Sequence, residues 1–447
     1  LIYLYITRGY QKEIYALAYT DKLTGVRNFT KFRQDGEGML QAPDGLPCAL
    51  LSINMLNFKI YNDVMGYSEG DALLKAFARI LEREAPRPVL VARMLADAFL
   101  VLFPYKGKGE LVTYCEAYSR ALNGFIVSRE QNYQLELRSG ICCVEDSDAS
   151  DINSLLDRAN MALKTIKVKG AAQWKFYDHT MRDKLLREKD LEIRMEKALA
   201  DGEFLVYIQP KYWVGTRALA GGEALVRWKS PDQGFLSPGE FIPLFEKNRF
   251  IVKLDQFMFT SVCGLLRQWL DAGIEPRPLS VNVSRMQFHT PDFVERYIRI
   301  KSQYAIPDGL LELEFTESIF FDNVALLSSA VHELRRAGIK CSIDDFGAGY
   351  SSLNVLKALP VSVLKLDGMF FRTAKDDEQA KIVIRNIMRM AGELKMATVA
   401  EGVETHEQVA FLETTGCDII QGYVFARPMP AAEFTELLAG EGGHAER

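Results

Sequence analysis

The sequence lacks the features that mark several classes of protein. Its seven cysteines form no CxxC pair and its five histidines show no ligand-like spacing, so a zinc site is not expected. Unpaired, scattered cysteines in a chain of 447 residues indicate reduced thiols and a cytoplasmic compartment. The formal net charge of -5 gives no sign of a nucleic-acid groove, so no nucleic-acid polymer is expected as a partner.

The sequence also contains no run long enough to be a complete transmembrane helix. It begins without an initiator Met, so we expect it to be part of a longer protein. Residues 1–8, LIYLYITR, are apolar and then basic. Two interpretations are open: the cytoplasmic end of a helix anchored in the inner membrane, or a helix that packs on its own domain or on a partner.

The length predicts two domains. In the first half, strand-like segments at 49–54 and 88–103 alternate with helical patterns at 69–82 and 160–169, and a strand-like segment follows at 173–177. We therefore expect an N-terminal helix over 1–18 and a small α+β domain over 19–178. A charged connecting helix is predicted over 179–200 and a second domain over 201–447.

The second domain alternates strand and helix patterns regularly, which is typical of α/β folds. Eight strands are predicted, at 204–208, 220–227, 279–283, 311–315, 340–344, 363–366, 398–401 and 419–424. This pattern favours a TIM-type (β/α)8 barrel. An open, doubly wound sheet is the alternative, but no dinucleotide-type glycine fingerprint follows any of the strands.

Polar residues interrupt these apolar strands near their carboxyl ends, where barrel enzymes place their chemistry. The set comprises Glu223, Asn282, Glu314, Glu317, Asp344, Asp345, Lys365, Glu401, Glu404 and Gln421. One buried carboxylate would usually be a satisfied structural acid, but a repeated set is hard to explain without a cation. Oxygen ligands favour Mg²⁺ or Mn²⁺, and two such cations suit hydrolysis of a phosphate ester.

The motifs EALVRW, NVS, ELEFTE, DDFGAGYSSL, KLD, AEGVE and QGYVFARP, in this order, resemble the EAL phosphodiesterases over residues 204–430. The resemblance implies hydrolysis of cyclic di-GMP to linear 5′-pGpG. It also implies that Glu223, Asn282, Glu314 and Asp344 hold one cation, and that Asp344, Asp345 and Glu401 hold a second. A receptor that binds cyclic di-GMP without cleaving it is the alternative function, and a structural adaptor is a third.

The resemblance assigns further roles. Lys365 lies beside the attacking water, Glu401 is a candidate general base, and Glu223 is essential for catalysis as a ligand. Arg227 and Leu225 of the EAL motif and Gln421 line the substrate site. The loop and regulatory positions are Glu317, Phe346, Gly347, Gly349 and Glu404. The loop of the family couples metal binding to dimerisation, so we expect a homodimer through this domain, and we expect Ca²⁺ to inhibit.

The first half contains the segment DKLTGVRN at 21–28, Asn57-Phe58-Lys59 and Gly70-Asp71. On these motifs it resembles GGDEF diguanylate cyclases over about residues 19–177. The family signature is replaced by Leu95-Ala96-Asp97-Ala98-Phe99, and Asn54 stands in the place of a metal-binding aspartate. Side chains at 95 and 96 fill space that the two glycines leave for a triphosphate. We therefore expect no cyclase activity.

A guanine-nucleotide site is nevertheless a candidate in this first domain. Asn62 and Asp71 match positions that pair with the guanine base in the family, and Lys167 matches one near the terminal phosphates. Two interpretations stay open: these residues are remnants that hold the fold, or they form a sensor for GTP or GDP. Asp71 could equally cap the helix that follows Gly70.

Overall fold

The computed structural model describes residues 14–41, 47–87, 89–129, 133, 135–147, 149, 151–166, 173–316, 319, 324–347, 360–373 and 378–442. The chain divides into two compact units, Leu1–Arg187 and Glu188–Arg447. Within the described residues, no helix is long and apolar enough to cross a membrane.

The first unit is an α+β domain, as predicted. Its elements are α1 (Phe29–Leu40), β1 (Cys48–Met55), α2 (Phe58–Met65), α3 (Tyr67–Arg83), β2 (Leu90–Leu95), β3 (Ala98–Pro104), α4 (Lys108–Ser128), β4 (Leu137–Cys143), α5 (Ile152–Lys164) and β5 (Trp174–Phe176). The sheet order is β2-β3-β1-β4-β5, so β1 lies at the centre between two antiparallel neighbours. Because helices cover the sheet, almost every residue of β1 is buried.

Two sequence-based details of this unit differ from the structure. Helix α5 begins at Ile152 rather than at residue 160, because Asp151 caps it by accepting hydrogen bonds from the backbone of Asn153 and Ser154. Asp71 does not cap a helix, because α3 begins at Tyr67 and Asp71 lies inside it.

A helix, α6 (His179–Ala200), connects the units in sequence. The second unit follows with β6 (Phe204–Trp213), β7 (Leu219–Ser230), β8 (Gly234–Leu236), α7 (Pro238–Lys247), α8 (Ile251–Asp271), β9 (Leu279–Asn282), α9 (Phe293–Gln303), β10 (Leu311–Thr316), α10 (Val324–Arg336) and β11 (Ile339–Phe346). It ends with β12 (Val363–Leu366), α11 (Met369–Thr373), α12 (Glu378–Glu393), β13 (Ala397–Ala400), α13 (His406–Glu413), β14 (Ile419–Ile420), β15 (Met429–Pro430) and α14 (Ala431–Gly442).

Among the described residues, eight strands close into a barrel in the order β6-β14-β13-β12-β11-β10-β9-β7, and β7 pairs with β6. The predicted TIM-type barrel is confirmed, and the open-sheet alternative is wrong because the two ends of the sheet pair with each other. Strand β6 differs from an ideal barrel, since it runs antiparallel to both neighbours. The reason is that only residues 214–218 join it to β7, and a parallel pair would need a crossover of a dozen or more residues.

The last strand of the barrel is shorter than predicted. Residues 419–424 were expected to be extended, but β14 ends at Ile420. At Gly422 the chain passes so close to a neighbouring turn that a Cβ atom there would lie 2.0 Å from the carbonyl oxygen of Val403. The chain therefore turns directly after Gln421, which leaves that side chain at the carboxyl end of the barrel.

Candidate metal centre and the adjoining pocket

Four acidic side chains from four barrel strands surround one buried lysine. Lys365 of β12 is fully buried, and its Nζ lies 2.5 Å from Glu314 Oε2 and 2.6 Å from Glu401 Oε1. The same atom is 3.1 Å from Asp344 Oδ1 and 3.6 Å from Glu223 Oε2. Parallel strands that end at one rim of the barrel bring these residues together although they are distant in sequence.

The charge of this cluster is far from balanced. Burial disfavours the ammonium of Lys365, but the surrounding carboxylates hold its pKa well above the usual value. Burial raises the pKa of Glu401 and of Glu223, and the neighbouring acids raise both further. A second buried lysine, Lys211, pairs with Glu314. Because four carboxylates still outnumber the two ammonium groups, the site suits additional cations.

One group of carboxylates has the spacing of a cation site. One oxygen from each of Asp344, Asp345 and Glu401 lies within 4.8 Å of the others. Asp345 adopts a left-handed backbone, with φ of 53°, at an irregularity in the pairing of β11 with β12. Without this bulge, consecutive residues of a strand would point to opposite faces. Burial, followed by the charge of Asp344, raises the pKa of Asp345 to about 6.

Two amide side chains hold Glu223 from opposite sides. Asn282 Nδ2 donates to Glu223 Oε1 at 2.6 Å, and Gln421 Nε2 donates to Glu223 Oε2 at 2.5 Å. The Oε1 atom of Gln421 is buried and accepts no hydrogen bond from the described residues. Because the amide nitrogens of Asn282 and Gln421 both donate to Glu223, the amide oxygens remain available as ligands for a cation or a polar substrate group. This all-oxygen donor set fits Mg²⁺ or Mn²⁺.

A pocket of about 300 Å³ adjoins this cluster at Asn282. Its lining is mainly apolar and includes Leu225, Ile242, Leu254 and Met258. Arg227 also lines the pocket; its guanidinium lies 5.6 Å from the ring centroid of Tyr207, and its Nη1 donates to the carbonyl of Val226. The structure thus places the predicted substrate-site residues Leu225 and Arg227 around a cavity beside the acidic cluster.

Asp255 is a buried acid of this pocket that the sequence did not reveal as a site residue. Its Oδ2 accepts hydrogen bonds from Ser284 N at 3.0 Å and from Gln287 Nε2 at 3.2 Å. Burial raises its pKa to about 7. The available signal was its place on the buried face of α8, between Leu254 and Met258, where an acid is unexpected.

The predicted loop and regulatory residues lie in different surroundings. Gly347 has φ of +92°, and a Cβ atom there would lie 2.2 Å from the ring of Phe370, so glycine is required on both counts. Phe346 is buried in the barrel core. The side chain of Glu404 is exposed, and its backbone N–H donates to Gln408 Oε1 near the start of α13. Glu317 and Gly349 lie outside the described residues.

The signature hairpin of the first unit is held by internal contacts. Asp97 accepts a hydrogen bond from Met55 N at 3.0 Å, and Arg93 donates to the carbonyl oxygen of Ala96 at 2.8 Å. Ala96 adopts φ of 51°, a conformation that favours glycine, and Leu95 is 78% exposed. The one acid that the hairpin retains is therefore engaged with the backbone.

The candidate nucleotide residues of the first unit lie on neighbouring helices. Asn62 of α2 is half-buried, and its Oδ1 is buried without a hydrogen-bond partner among the described residues. A Cβ atom at Gly70 would lie 1.8 Å from this oxygen. Asp71 is exposed on α3, and Lys167 lies outside the described residues.

Comparison with known protein families matches both units. The profile of the diguanylate cyclase GGDEF domain matches residues 18–173, and that of the EAL domain matches residues 193–428. The cyclic di-GMP phosphodiesterase PA2567 of Pseudomonas aeruginosa is 31% identical over 94% of this chain and 71% of the relative. The bifunctional diguanylate cyclase/cyclic di-GMP phosphodiesterase MucR of the same organism is 30% identical over 96% of this chain and 63% of the relative. This chain spans about half to two thirds of the length of most of these curated relatives.

Two solved structures resemble the fold. The PaMucR phosphodiesterase in complex with c-di-GMP is 35% identical, with a TM-score of 0.52, and covers 55% of this chain and 99% of that chain. The S helix-GGDEF-EAL part of Vibrio cholerae LapD covers 95% of this chain and 100% of that chain, with a TM-score of 0.54. At 19% identity, the second likeness concerns the fold alone.

Proposed function

Because this chain belongs to the family of proteins in which a GGDEF domain precedes an EAL domain, we propose that its second unit hydrolyses cyclic di-GMP to linear 5′-pGpG with Mg²⁺ or Mn²⁺. The observation that carries the proposal is the intact set of oxygen donors around Lys365. A non-catalytic receptor would have no need of so much uncompensated charge in its interior.

The proposed ligand sets are those that the resemblance to EAL phosphodiesterases implies, and the spacing of Asp344, Asp345 and Glu401 supports the second set. Glu223, Asn282, Glu314 and Asp344 hold one cation, and Asp344, Asp345 and Glu401 hold the other. Bound cations would supply the Lewis acidity that activates a water and polarises the phosphoryl group. Asp344 would belong to both sets, since its carboxylate lies within 4.8 Å of those of Asp345 and Glu401 and one of its oxygens lies 3.1 Å from Lys365 Nζ, which also contacts Glu223 and Glu314.

Lys365 and Glu401 are the proposed catalytic pair. The ammonium is held by its four carboxylate neighbours, so it is oriented before substrate arrives and can stabilise negative charge on the reacting phosphate. Glu401 Oε1 lies 2.6 Å from the Lys365 Nζ, and its carboxylate would accept a proton from the attacking water. Glu223 acts as an essential ligand that Asn282 and Gln421 keep in place.

The pocket beside the cluster is the proposed site for one guanine of the substrate. Apolar side chains such as Leu225 and Ile242 suit the faces of a purine, while Asp255 supplies a carboxylate that can accept N–H groups from its edge. Oδ2 of Asp255 already has two donors, so Oδ1 is the oxygen available to a ligand. Arg227 offers a planar pair of donors to a substrate phosphate.

For the first unit we propose a regulatory or dimerising role without cyclase activity. Leu95 and Ala96 occupy the space of two glycines, Asn54 and Ala98 remove acids, and Asp97 is bound to the backbone of Met55. Weak binding of GTP or GDP near Asn62 and Asp71 belongs to the same proposal. We also propose that the protein forms a homodimer through the EAL domain.

Product analysis tests the enzymatic proposal. Purified protein is incubated with cyclic di-GMP and Mn²⁺, and the nucleotides are separated by chromatography. We expect pGpG from the wild type and from Glu333→Gln, a control on the exposed face of α10, and none from Glu223→Gln. Binding of cyclic di-GMP without any pGpG in a dimeric wild-type sample would overturn the enzymatic function in favour of the receptor.

A further inference from the structure

A second lysine is buried beneath the acidic cluster. Lys211 lies on β6, the reversed strand of the barrel, and only 7% of its side chain is exposed. Its Nζ donates to Glu314 Oε1 at 2.9 Å and to Ser280 Oγ at 2.7 Å. Because Lys365 binds the other oxygen of the same carboxylate, Glu314 is held between two ammonium groups, with one oxygen for each.

The two lysines differ in what surrounds them. Lys365 shares its charge among four carboxylates, all of which belong to the proposed cation ligands. For Lys211, Glu314 is the one carboxylate within ion-pair distance in the described part of the chain. A cation at the cluster therefore competes with Lys365 for Glu314 Oε2, but nothing at the cluster competes with Lys211 for Oε1.

We propose that Lys211 is a positioning residue that restricts Glu314 to one metal-binding oxygen and thereby favours small octahedral cations over Ca²⁺. This inference rests on the proposed function, because it takes Glu314 to be a cation ligand. Mg²⁺ requires near-ideal octahedral geometry with short bonds, whereas Ca²⁺ accepts bidentate carboxylates and more ligands. An oxygen that is held 2.9 Å from a buried ammonium is a poorer ligand for a second positive charge, so bidentate binding by Glu314 is disfavoured.

The side chain is well suited to this role. Its second hydrogen bond, to Ser280 on β9, fixes the ammonium between two rigid strands, so the oxygen of Glu314 that it binds is also fixed. The residue touches neither the pocket nor the group of Asp344, Asp345 and Glu401. Its direct contact with the proposed ligands is with Glu314, while its charge also acts at longer range on Glu223.

The test is calorimetric titration of the metal-free whole protein with Mg²⁺ and, separately, with Ca²⁺, without substrate. In Lys211→Met, Glu314 Oε1 is released, and we expect the ratio of the Mg²⁺ Kd to the Ca²⁺ Kd to rise about tenfold. The control is Lys301→Met, which removes another buried lysine that pairs with Asp308 outside the barrel interior. This control should leave the ratio unchanged.

Three outcomes would contradict the proposal, and they distinguish a failure of the role of Lys211 from a failure of the proposed enzymatic function. If both affinities change by the same factor in Lys211→Met, the lysine acts through its charge alone and the inference is wrong. If Lys211→Met does not fold, Ser280→Ala, which loosens the same ammonium, must raise the ratio in the same direction, and an unchanged ratio would overturn the inference. If the wild type binds neither metal, the proposed function fails as well.

Discussion

The two units treat buried charge in opposite ways. In the barrel, Glu223, Glu314, Asp344 and Glu401 all lie within ion-pair distance of Lys365, and Lys211 is the one further ammonium that pairs with any of them among the described residues. In the first unit, the hairpin keeps one acid, Asp97, and satisfies it with a backbone N–H. Under the proposed function, a cation and a phosphate would use the concentrated charge of the barrel, whereas the hairpin of the first unit has no such use for its acid.

The largest effect is expected when a proposed cation ligand is removed from the barrel. Glu223→Gln keeps the size and shape of the side chain but removes its charge and one of the two acceptor oxygens that Asn282 and Gln421 bind. Since loss of even an indirect partner of a metal ligand typically reduces affinity 10- to 100-fold, we expect hydrolysis of cyclic di-GMP to fall by more than about 100-fold. Initial rates across a Mn²⁺ titration measure the effect. A rate close to that of wild type would contradict the ligand assignment.

The choice of cation gives the next largest effect. Ca²⁺ should support binding of cyclic di-GMP but little cleavage, because it tolerates longer, looser coordination and activates water less than Mg²⁺ does. Fluorescence anisotropy of a labelled ligand reports binding, and chromatography reports the product. Equal rates in the two metals would argue against a tight site for two cations.

Much of the charged unit could be predicted from the sequence, for a physical reason. Glu223, Asn282, Glu314 and Lys365 each interrupt an apolar strand near its end, and parallel strands bring such positions to one rim. Asp255 was not predicted because it lies within a helix, away from the strand ends on which the site prediction was based, although its apolar neighbours Leu254 and Met258 were an available signal. The reversed direction of β6 was also missed, because a strand pattern carries no information on orientation.

The buried acid Asp255, in the proposed substrate pocket, should make the stability of the second unit depend on pH. Burial raises its pKa in the folded protein to about 7, well above the usual value for an aspartate. Between pH 4 and 7 the folded state therefore holds a proton that the unfolded state has lost, so stability of the second unit should fall as pH rises through this window, by on the order of a few kcal/mol.

Asp255→Asn tests this account with one change. The amide cannot titrate, so the free energy of unfolding of the variant should lose most of this pH dependence, as measured by urea unfolding at pH 5 and at pH 7.5. The affinity of the variant for cyclic di-GMP should also fall, by roughly 10-fold, because an amide NH2 group that cannot accept a hydrogen bond replaces one buried carboxylate oxygen. Asp271→Asn, at the exposed end of α8, is the control. Identical pH profiles for wild type and Asp255→Asn would show that the pKa is not raised.

The smallest expected effect concerns the first unit. If GTP binds near Asn62 and Asp71 with different affinity in two states of the protein, the rate of cyclic di-GMP hydrolysis should change several-fold, equivalent to about 1–3 kcal/mol of coupling. The measurement is a GTP titration at constant free Mn²⁺ in wild type and in Asp71→Ala. No change in rate up to millimolar GTP, together with no calorimetric binding, would leave this unit as a dimerising or structural remnant.

The central claim is that the second unit hydrolyses cyclic di-GMP and the first unit does not make it. Two parallel reactions, one with cyclic di-GMP and one with GTP, test it most directly. Wild-type protein receives cyclic di-GMP with Mn²⁺, and Glu223→Gln, from which we expect no hydrolysis of cyclic di-GMP, receives GTP with Mg²⁺. The account predicts pGpG in the first reaction and no cyclic di-GMP in the second. Absence of pGpG, or accumulation of cyclic di-GMP from GTP, would contradict it.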